Sequence, residues 1–236
     1  MTGLWFTFAP DAGCLAESVG RFRDVAPDAR VALLDDNLHP LPVRALNDLA
    51  PDHYERTEWP REGNLRGWRH ALCALEAYVR VADKTGAAGV FKLDCDTLLV
   101  DPSWIDTAAP LCGHDCALWP TVHGGLGYWI RRDAAAAILA HMRDRRWAEG
   151  GNPVNEDQVV SWWSMLVFGS AVKVIPFDGR TARGFQFHRP DEDYSAAKVI
   201  TFGNRMQLTG SDVERRSRAA HEMRRYRSEL EVPNHG

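Results

Sequence analysis

An amphipathic helix that runs into a short apolar strand restricts the possible folds more than any other feature of this chain. Between positions 64 and 86, apolar residues recur at spacings of three and four, at Leu65, Trp68, Leu72, Leu75, Val79 and Ala82. Asn64 is the predicted N-cap of this helix, and an apolar strand is predicted over residues 90–96. With the strand predicted before the helix, this makes a β-α-β unit. We therefore expect an α/β fold with a mostly parallel sheet flanked by helices.

The segments around this unit fit the same architecture. A first strand is predicted over residues 4–8, and residues 30–34 are apolar without strict alternation, which is typical of a strand buried on both faces. Further strands are predicted at 117–120, 125–130, 172–177 and 198–202, and further helices at 15–24, 134–142, 156–166 and 211–231. A chain of 236 residues suits one continuous core, so we expect a single domain.

Composition narrows the classes of function. The formal net charge of -4 gives no overall attraction to nucleic acid. No window approaches the ~20 apolar residues of a membrane span, and the first residues lack the basic region of a signal peptide. The 5 cysteines show no disulfide-framework spacing, which fits a reducing compartment. We therefore expect a cytoplasmic protein with no transmembrane segment and no nucleic-acid partner.

Two carboxylates, Asp94 and Asp96, end the central predicted strand. Strand positions i and i+2 face the same side, so both side chains are expected in the crevice beyond the carboxyl edge of the sheet. Two oxygen ligands there suit Mn²⁺ or Mg²⁺ bridging the phosphates of a nucleoside diphosphate. The alternative is that both residues cap a turn, but two carboxylates directed to one spot repel each other unless a cation or hydrogen-bond donors offset them.

The strand with its two carboxylates resembles the DxD motif of GT-A glycosyltransferases, which closes the nucleotide-binding half of that fold. The similarity extends downstream. The segment 123–131, with Gly124 and Gly125, resembles the family's glycine-containing acceptor-side segment, and its Tyr128 or Trp129 could stack on a sugar. A simple hairpin with both aromatic side chains in the core is the alternative. Glu156 and Asp157 are similar to the family's acidic pair at the start of a helix, although charge placement at a helix N-terminus alone would also explain them.

The resemblance implies a GT-A-like, Rossmann-type catalytic domain over residues 1–210, with a nucleotide-binding half (1–102) and an acceptor half (103–210), followed by a C-terminal helix and tail (211–236). It implies a metal-dependent, hexosyltransferase-like enzyme that uses a nucleotide-sugar donor, with a UDP-sugar favoured. The acceptor hydroxyl would belong to a glycan, a lipid-linked molecule, a peptide or a small molecule, and the protein would be a monomer or homodimer.

Particular residues are implicated by the same resemblance. In an inverting enzyme Asp157 would be the general base, with Glu156 beside it, whereas a retaining enzyme can also place a carboxylate there, so the stereochemistry stays open. His188 would add a metal ligand to Asp94 and Asp96, with His221 a weaker candidate. The donor nucleotide and its diphosphate would contact Thr7, Pro10, Asp35, Asp36, Arg66, Arg69 and Asp94. For the four charged residues Asp35, Asp36, Arg66 and Arg69, a solvated surface role is the alternative.

Three other classes of protein compete with this interpretation. A HAD-type phosphatase has a similar Asp-x-Asp strand, but Leu98 stands where its pattern requires threonine. A nucleotidyltransferase typically has a glycine-rich basic loop after the first strand, whereas residues 7–13 contain one glycine and no basic residue. A non-catalytic sugar-binding module would explain the 9 tryptophans.

Overall fold

The computed structural model describes residues 1–58, 67–114, 127–144, 156–175, 198–202 and 212–231, and a seven-stranded sheet lies at its centre. The strands of this sheet are β1 (Thr2–Thr7), β2 (Arg30–Asp35), β3 (His53–Arg56), β4 (Gly89–Leu93), β6 (Leu111–His114), β7 (Gly127–Arg131) and β8 (Lys173–Ile175). Two further strands, β5 (Thr97–Leu99) and β9 (Val199–Thr201), form a separate antiparallel pair. The strand order in the main sheet is β3-β2-β1-β4-β7-β6-β8.

The first four strands of the sheet run parallel to one another, and β7 runs against its neighbours β4 and β6. From β1 the chain builds outward to β2 and β3 and then returns to place β4 on the other side. The order therefore reverses between β1 and β4. In open α/β sheets ligands bind beyond the carboxyl ends of the strands at such a switch point.

The described residues contain six α-helices. They are α1 (Ala12–Val25), α2 (Val43–Leu49), α3 (Gly67–Thr85), α4 (Arg132–Asp144), α5 (Glu156–Phe168) and α6 (Asp212–Glu231). One core lies between the sheet and α3, α4 and α5, and another lies on the opposite face under α1 and α2. Alternate residues of β1 point to these two cores, with Leu4 and Phe6 in the first and Trp5 in the second. This explains why β1 is apolar along its whole length.

The C-terminal helix α6 packs on α1 through a third apolar cluster that includes Cys14, Leu98 and Met223. Ion pairs flank this cluster, among them Arg224 Nε to Glu17 Oε1 at 2.8 Å. No helix in the described ranges is long and apolar enough to cross a membrane.

The predicted elements that lie in the described ranges are present, but their bounds differ in one place that matters. The strand predicted over residues 90–96 ends at Leu93, because the chain then turns and the amide of Thr97 donates to the carbonyl of Asp94 at 3.2 Å. After this turn, β5 leaves the main sheet and pairs with β9. Asp94 and Asp96 thus lie in a turn, and the expectation that they share one face of a strand was wrong. The predicted N-cap Asn64 and strand 117–120 lie outside the described residues.

Candidate active site

The side chain of Lys92 is buried in β4, directly beneath the turn that carries Asp94. Its Nζ lies 2.6 Å from Oδ1 of Asp94. The Lys92 side chain is 6% exposed and that of Asp94 is 35% exposed, so the pair reaches from the interior to the surface. A buried ammonium group is stable only with such a charge partner.

The N-terminus of α5 brings a second carboxylate to the same lysine. Glu156 is buried, and its Oε2 lies 4.0 Å from Nζ of Lys92. Its Oε1 accepts hydrogen bonds from the hydroxyls of Tyr78 and Tyr128, which lie 2.8 Å apart. Tyr78 comes from α3 and Tyr128 from β7, so three elements fix this one carboxylate.

Asp157, the next residue of α5, is also buried, at 3% exposure. Burial raises its pKa to about 7, with Glu156 and Asp94 acting in the same direction and Lys92 opposing them. For Lys92, burial acts to lower the pKa, but the charges of Asp94, Glu156 and Asp157 outweigh it and raise the pKa. A carboxyl group that titrates near neutrality can accept a proton under physiological conditions.

Asp96 has different surroundings from Asp94. Its carbonyl accepts the amide of Phe202 at 2.9 Å, which ties the turn to the end of β9. Burial raises the pKa of the Cys14 thiol on α1 to about 12, and the nearby charges of Asp96 and Glu17 add to that rise. The Asp96 charge therefore acts toward α1, whereas that of Asp94 acts toward Lys92 and Asp157.

The residues at this turn suit Mn²⁺ or Mg²⁺ in the type of ligand, since both are hard carboxylate oxygens. Within the ranges given above, however, no group of three His, Cys, Asp or Glu side chains could hold a metal ion. A cation on Asp94 and Asp96 would need further oxygen ligands from phosphate or water. The third ligand expected from the sequence, His188, lies outside the described residues, and His221 is exposed on α6.

Thr7 and Asp35 end the adjacent strands β1 and β2, and both are fully buried. The hydroxyl of Thr7 donates to Oδ1 of Asp35 at 2.9 Å. Oδ2 of Asp35 accepts from the Leu41 amide at 2.8 Å and the Tyr54 hydroxyl at 3.0 Å. Asp35 therefore fixes the loop after β2, and contact with a base or ribose would require these hydrogen bonds to be exchanged.

The other residues expected on the donor side have mixed positions. Asp36 is buried, and its Oδ1 accepts the Leu38 amide at 2.7 Å, so it shapes the same loop. Pro10 is exposed in the short helical turn after β1, where the Ala9 amide donates to the His39 carbonyl at 2.8 Å. Arg69 is exposed on the first turn of α3. Arg66 lies outside the described residues, as do Gly124 and Gly125 of the expected acceptor-side segment.

Two aromatic residues expected to stack on a sugar are in the interior. Tyr128 is fully buried and Trp129 is 1% exposed. Their strand β7 lies between β4 and β6, and both of its faces are covered by the protein. Stacking on a sugar is therefore wrong for both residues and the alternative of core aromatics is confirmed, with the Tyr128 hydroxyl donating to Glu156.

Lys92 and Tyr78 were missed in the sequence. The available signal for Lys92 was one charged residue within the apolar strand β4, since an ammonium group in such a strand requires a partner. Tyr78 lies one residue before Val79 on the apolar face of α3 and carried no comparable signal.

The sheet order defines an open α/β domain with a switch point between β1 and β4 and a charged cluster at its edge, and the fold is GT-A-like. The galactosyltransferase LgtC, in complex with donor and acceptor sugar analogs, has a TM-score of 0.50 and 13% sequence identity, with 94% of this chain and 96% of that chain covered. An active-site mutant of LgtC has a TM-score of 0.51 with the same identity and coverage.

A glycosyltransferase involved in the glycosylation of the major capsid of PBCV-1 has the same architecture. Its TM-score is 0.53 at 14% identity, with 92% of this chain and 98% of that chain covered. No protein-family model and no curated protein matches the sequence. At these identities the likeness shows the fold alone.

Proposed function

We propose that this protein is a glycosyltransferase that moves a sugar from a nucleoside-diphosphate sugar, with a UDP-sugar favoured, to an acceptor hydroxyl. The observation that carries the proposal is the cluster of Lys92, Asp94, Glu156 and Asp157, gathered at the carboxyl end of β4, next to the switch point of a GT-A-like sheet. Ligands of open α/β sheets bind at this edge. Glycosyl transfer needs a site for the diphosphate, and an inverting reaction also needs a base near the acceptor. This cluster contains candidates for both.

Asp94 and Asp96 are the residues we propose to hold a divalent cation, Mn²⁺ or Mg²⁺. A cation bound there would offset the negative charge of the departing diphosphate. Asp94 is suited to this role because its side chain is partly exposed while Lys92 fixes one of its oxygens from below.

Asp157 is the proposed general base of an inverting reaction. The acceptor oxygen would bond to the anomeric carbon, the bond from that carbon to the diphosphate oxygen would break, and the acceptor proton would pass to the Asp157 carboxylate. Its pKa of about 7 supports this role, since a useful fraction is ionised at neutral pH. Glu156, held by two tyrosine hydroxyls, would keep the N-terminus of α5 in place for this transfer. In a retaining reaction Asp157 would need a different role.

The acceptor is proposed to carry a hydroxyl on a sugar, because one structure of the same fold contains an acceptor sugar analog. Lipid-linked, peptide and small-molecule hydroxyls are the other possible acceptors. We place this activity in the cytoplasm, in agreement with the cysteine content of the sequence.

Thermal unfolding with UDP, GDP, dTDP and CDP, each with and without Mn²⁺, tests the donor site without knowledge of the acceptor. A ligand at 100 times its dissociation constant adds about 2.7 kcal/mol of stability. We expect a rise in melting temperature that requires one nucleotide and the metal together and that is absent in Asp96→Asn. If no nucleotide shifts the melting temperature, the proposal fails, and hydrolysis of a generic phosphomonoester would then favour the phosphatase.

A further inference from the structure

The ammonium group of Lys92 joins two parts of the candidate site that are far apart in sequence. Nζ lies 2.6 Å from the Asp94 carboxylate in the turn after β4 and 4.0 Å from the Glu156 carboxylate at the start of α5. With 6% of its side chain exposed, Lys92 is itself too buried to act as a surface ligand. Its contacts therefore fix the relation between the turn and the helix.

The register of the sheet holds Lys92 in this place. Lys92 is directly opposite Tyr128 in the antiparallel pair of β4 and β7, and its Nζ lies 5.9 Å from the centre of the Tyr128 ring. The hydroxyl of Tyr128 in turn donates to Oε1 of Glu156. Both oxygens of Glu156 are thereby engaged, one by Lys92 and one by the tyrosines.

Charge explains why this contact should matter for Asp157. Carboxylates gathered at a poorly solvated site repel one another unless a cation lies between them. Lys92 is the cation that the described structure places between Asp94 and Glu156, and Asp157 follows Glu156 directly. Without the ammonium group, we expect the turn and the first residues of α5 to repel each other.

We infer that Lys92 is a positioning residue that sets the distance between Asp94 and the first turn of α5, and thus between the donor and the proposed base. This inference rests on the proposed function. The inference predicts that a change at Lys92 lowers turnover without weakening donor binding, whereas a change at a donor-binding residue would lower both. Binding of a nucleoside diphosphate with its metal would use the turn but not α5, whereas turnover would depend on the turn and α5 together.

The test compares Lys92→Met with wild type in two measurements. For hydrolysis of UDP-galactose and UDP-glucose without an acceptor, followed as release of UDP, we expect kcat to fall about 10- to 100-fold because the reacting groups are misplaced. The melting-temperature shift caused by UDP with Mn²⁺ should be retained, because loss of a nearby positive charge does not weaken the attraction of a divalent cation to Asp94. Lys92→Arg, which keeps the charge, should recover part of kcat.

The variant Lys92→Met/Glu156→Gln guards against a simple loss of folding, because it leaves no unpaired charge at these two positions. We expect it to regain the melting temperature of wild type while kcat stays low. Lys173→Met, which removes a surface lysine 3.5 Å from Asp106, is the matched control and should keep the kcat of wild type.

The outcomes separate this inference from the proposed function. A wild-type protein that neither binds UDP with Mn²⁺ nor hydrolyses a donor would overturn both. If wild type is active and Lys92→Met has the same kcat, only the role of Lys92 is overturned. The same conclusion follows if the double variant regains kcat together with stability, or if Lys92→Met loses the UDP and Mn²⁺ shift in proportion to kcat.

Discussion

The hydroxyl groups of Tyr78 and Tyr128 lie 2.8 Å apart, and both donate to the same oxygen of Glu156. Burial and the neighbouring Glu156 charge raise the pKa of each tyrosine well above its usual value, so both hydroxyls stay protonated as donors. A helix, a strand and the start of another helix are joined through one carboxylate.

Replacement of Tyr128 by phenylalanine should therefore destabilise the protein. The variant keeps the ring but removes one of the two donors to a buried carboxylate, and a hydrogen bond to a charged group contributes about 1.5–3 kcal/mol. Urea denaturation should show a lower midpoint with an unchanged slope. In Tyr78→Phe/Tyr128→Phe, where no tyrosine donor is left, the loss should exceed that of either single variant. An unchanged midpoint in the double variant would contradict the role given to Glu156.

Which segments form strands and helices was predictable from the sequence, but the contacts between these elements were not. Apolar runs and helical spacing record burial, so β1, β2 and α3 could be predicted together with the carboxylates that follow β4. Which residues contact one another across the sheet is not recorded in such patterns. Lys92 lies close to Glu156 only because α5 begins beside the end of β4. In the sequence, Lys92 is a charged residue in an apolar strand, and no nearby position indicates its partner.

The two errors have physical causes of the same kind. Stacking on a sugar by Tyr128 or Trp129 would need an exposed ring, but a strand between two others, with cores on both faces, buries both. The strand before Asp94 was extended too far because apolar residues continue on both sides of the acidic turn, whereas β5 belongs to another sheet.

The pH dependence of turnover should report the Asp157 carboxyl. Its pKa of about 7 means that the fraction ionised falls as the pH drops below neutrality, so kcat for donor hydrolysis should fall on the acidic side. Asp157→Asn should reduce kcat about 10²- to 10⁴-fold and leave a rate without this pH step. A wild-type profile that is flat between pH 6 and pH 8, an interval about one unit either side of that pKa, would argue against Asp157 as the base.

The free energy of unfolding should also depend on the ionisation of Asp157, but it should fall as the pH rises, whereas kcat should rise. The pKa of Asp157 rises from 3.8 to about 7 on folding, so between these values the folded protein binds the proton and the unfolded chain does not. The stabilising contribution is complete below the unfolded pKa and is lost as the pH rises through the folded pKa. Asp157→Asn cannot lose a proton, so its free energy of unfolding relative to wild type should increase between about pH 4 and pH 7, the window these pKa values define, and level off above it. Urea titrations across that range measure the difference, and a parallel course of the two proteins would contradict it.

Asparagine variants of the two turn carboxylates should differ in their effect on folding. Asp94→Asn removes the closest charge partner of buried Lys92, so the free energy of unfolding should fall by about 1–3 kcal/mol, less than for a fully buried pair because Asp94 is 35% exposed. Asp96→Asn leaves that pair intact and should have a smaller effect on unfolding. Both variants should lose the Mn²⁺-dependent shift with UDP. Equal destabilisation by the two variants would contradict the distinct surroundings described for Asp94 and Asp96.

Met223 tests whether the C-terminal helix α6 is part of the domain or an appendage. Its side chain is fully buried in the cluster that joins α6 to α1 and to β5 and β9. The cluster includes Leu98 of β5, the strand that directly follows the Asp94 turn, so it supports one side of the candidate site. Met223→Ala should lower the free energy of unfolding by about 2–5 kcal/mol through the cavity it creates, and unfolding should remain a single transition.

Exposed Met165 on α5 provides the matched control, since Met165→Ala removes the same atoms without a buried cavity. If Met223→Ala instead produced a separate early transition and left the main one unchanged, α6 would be an independent unit that the rest of the domain does not need.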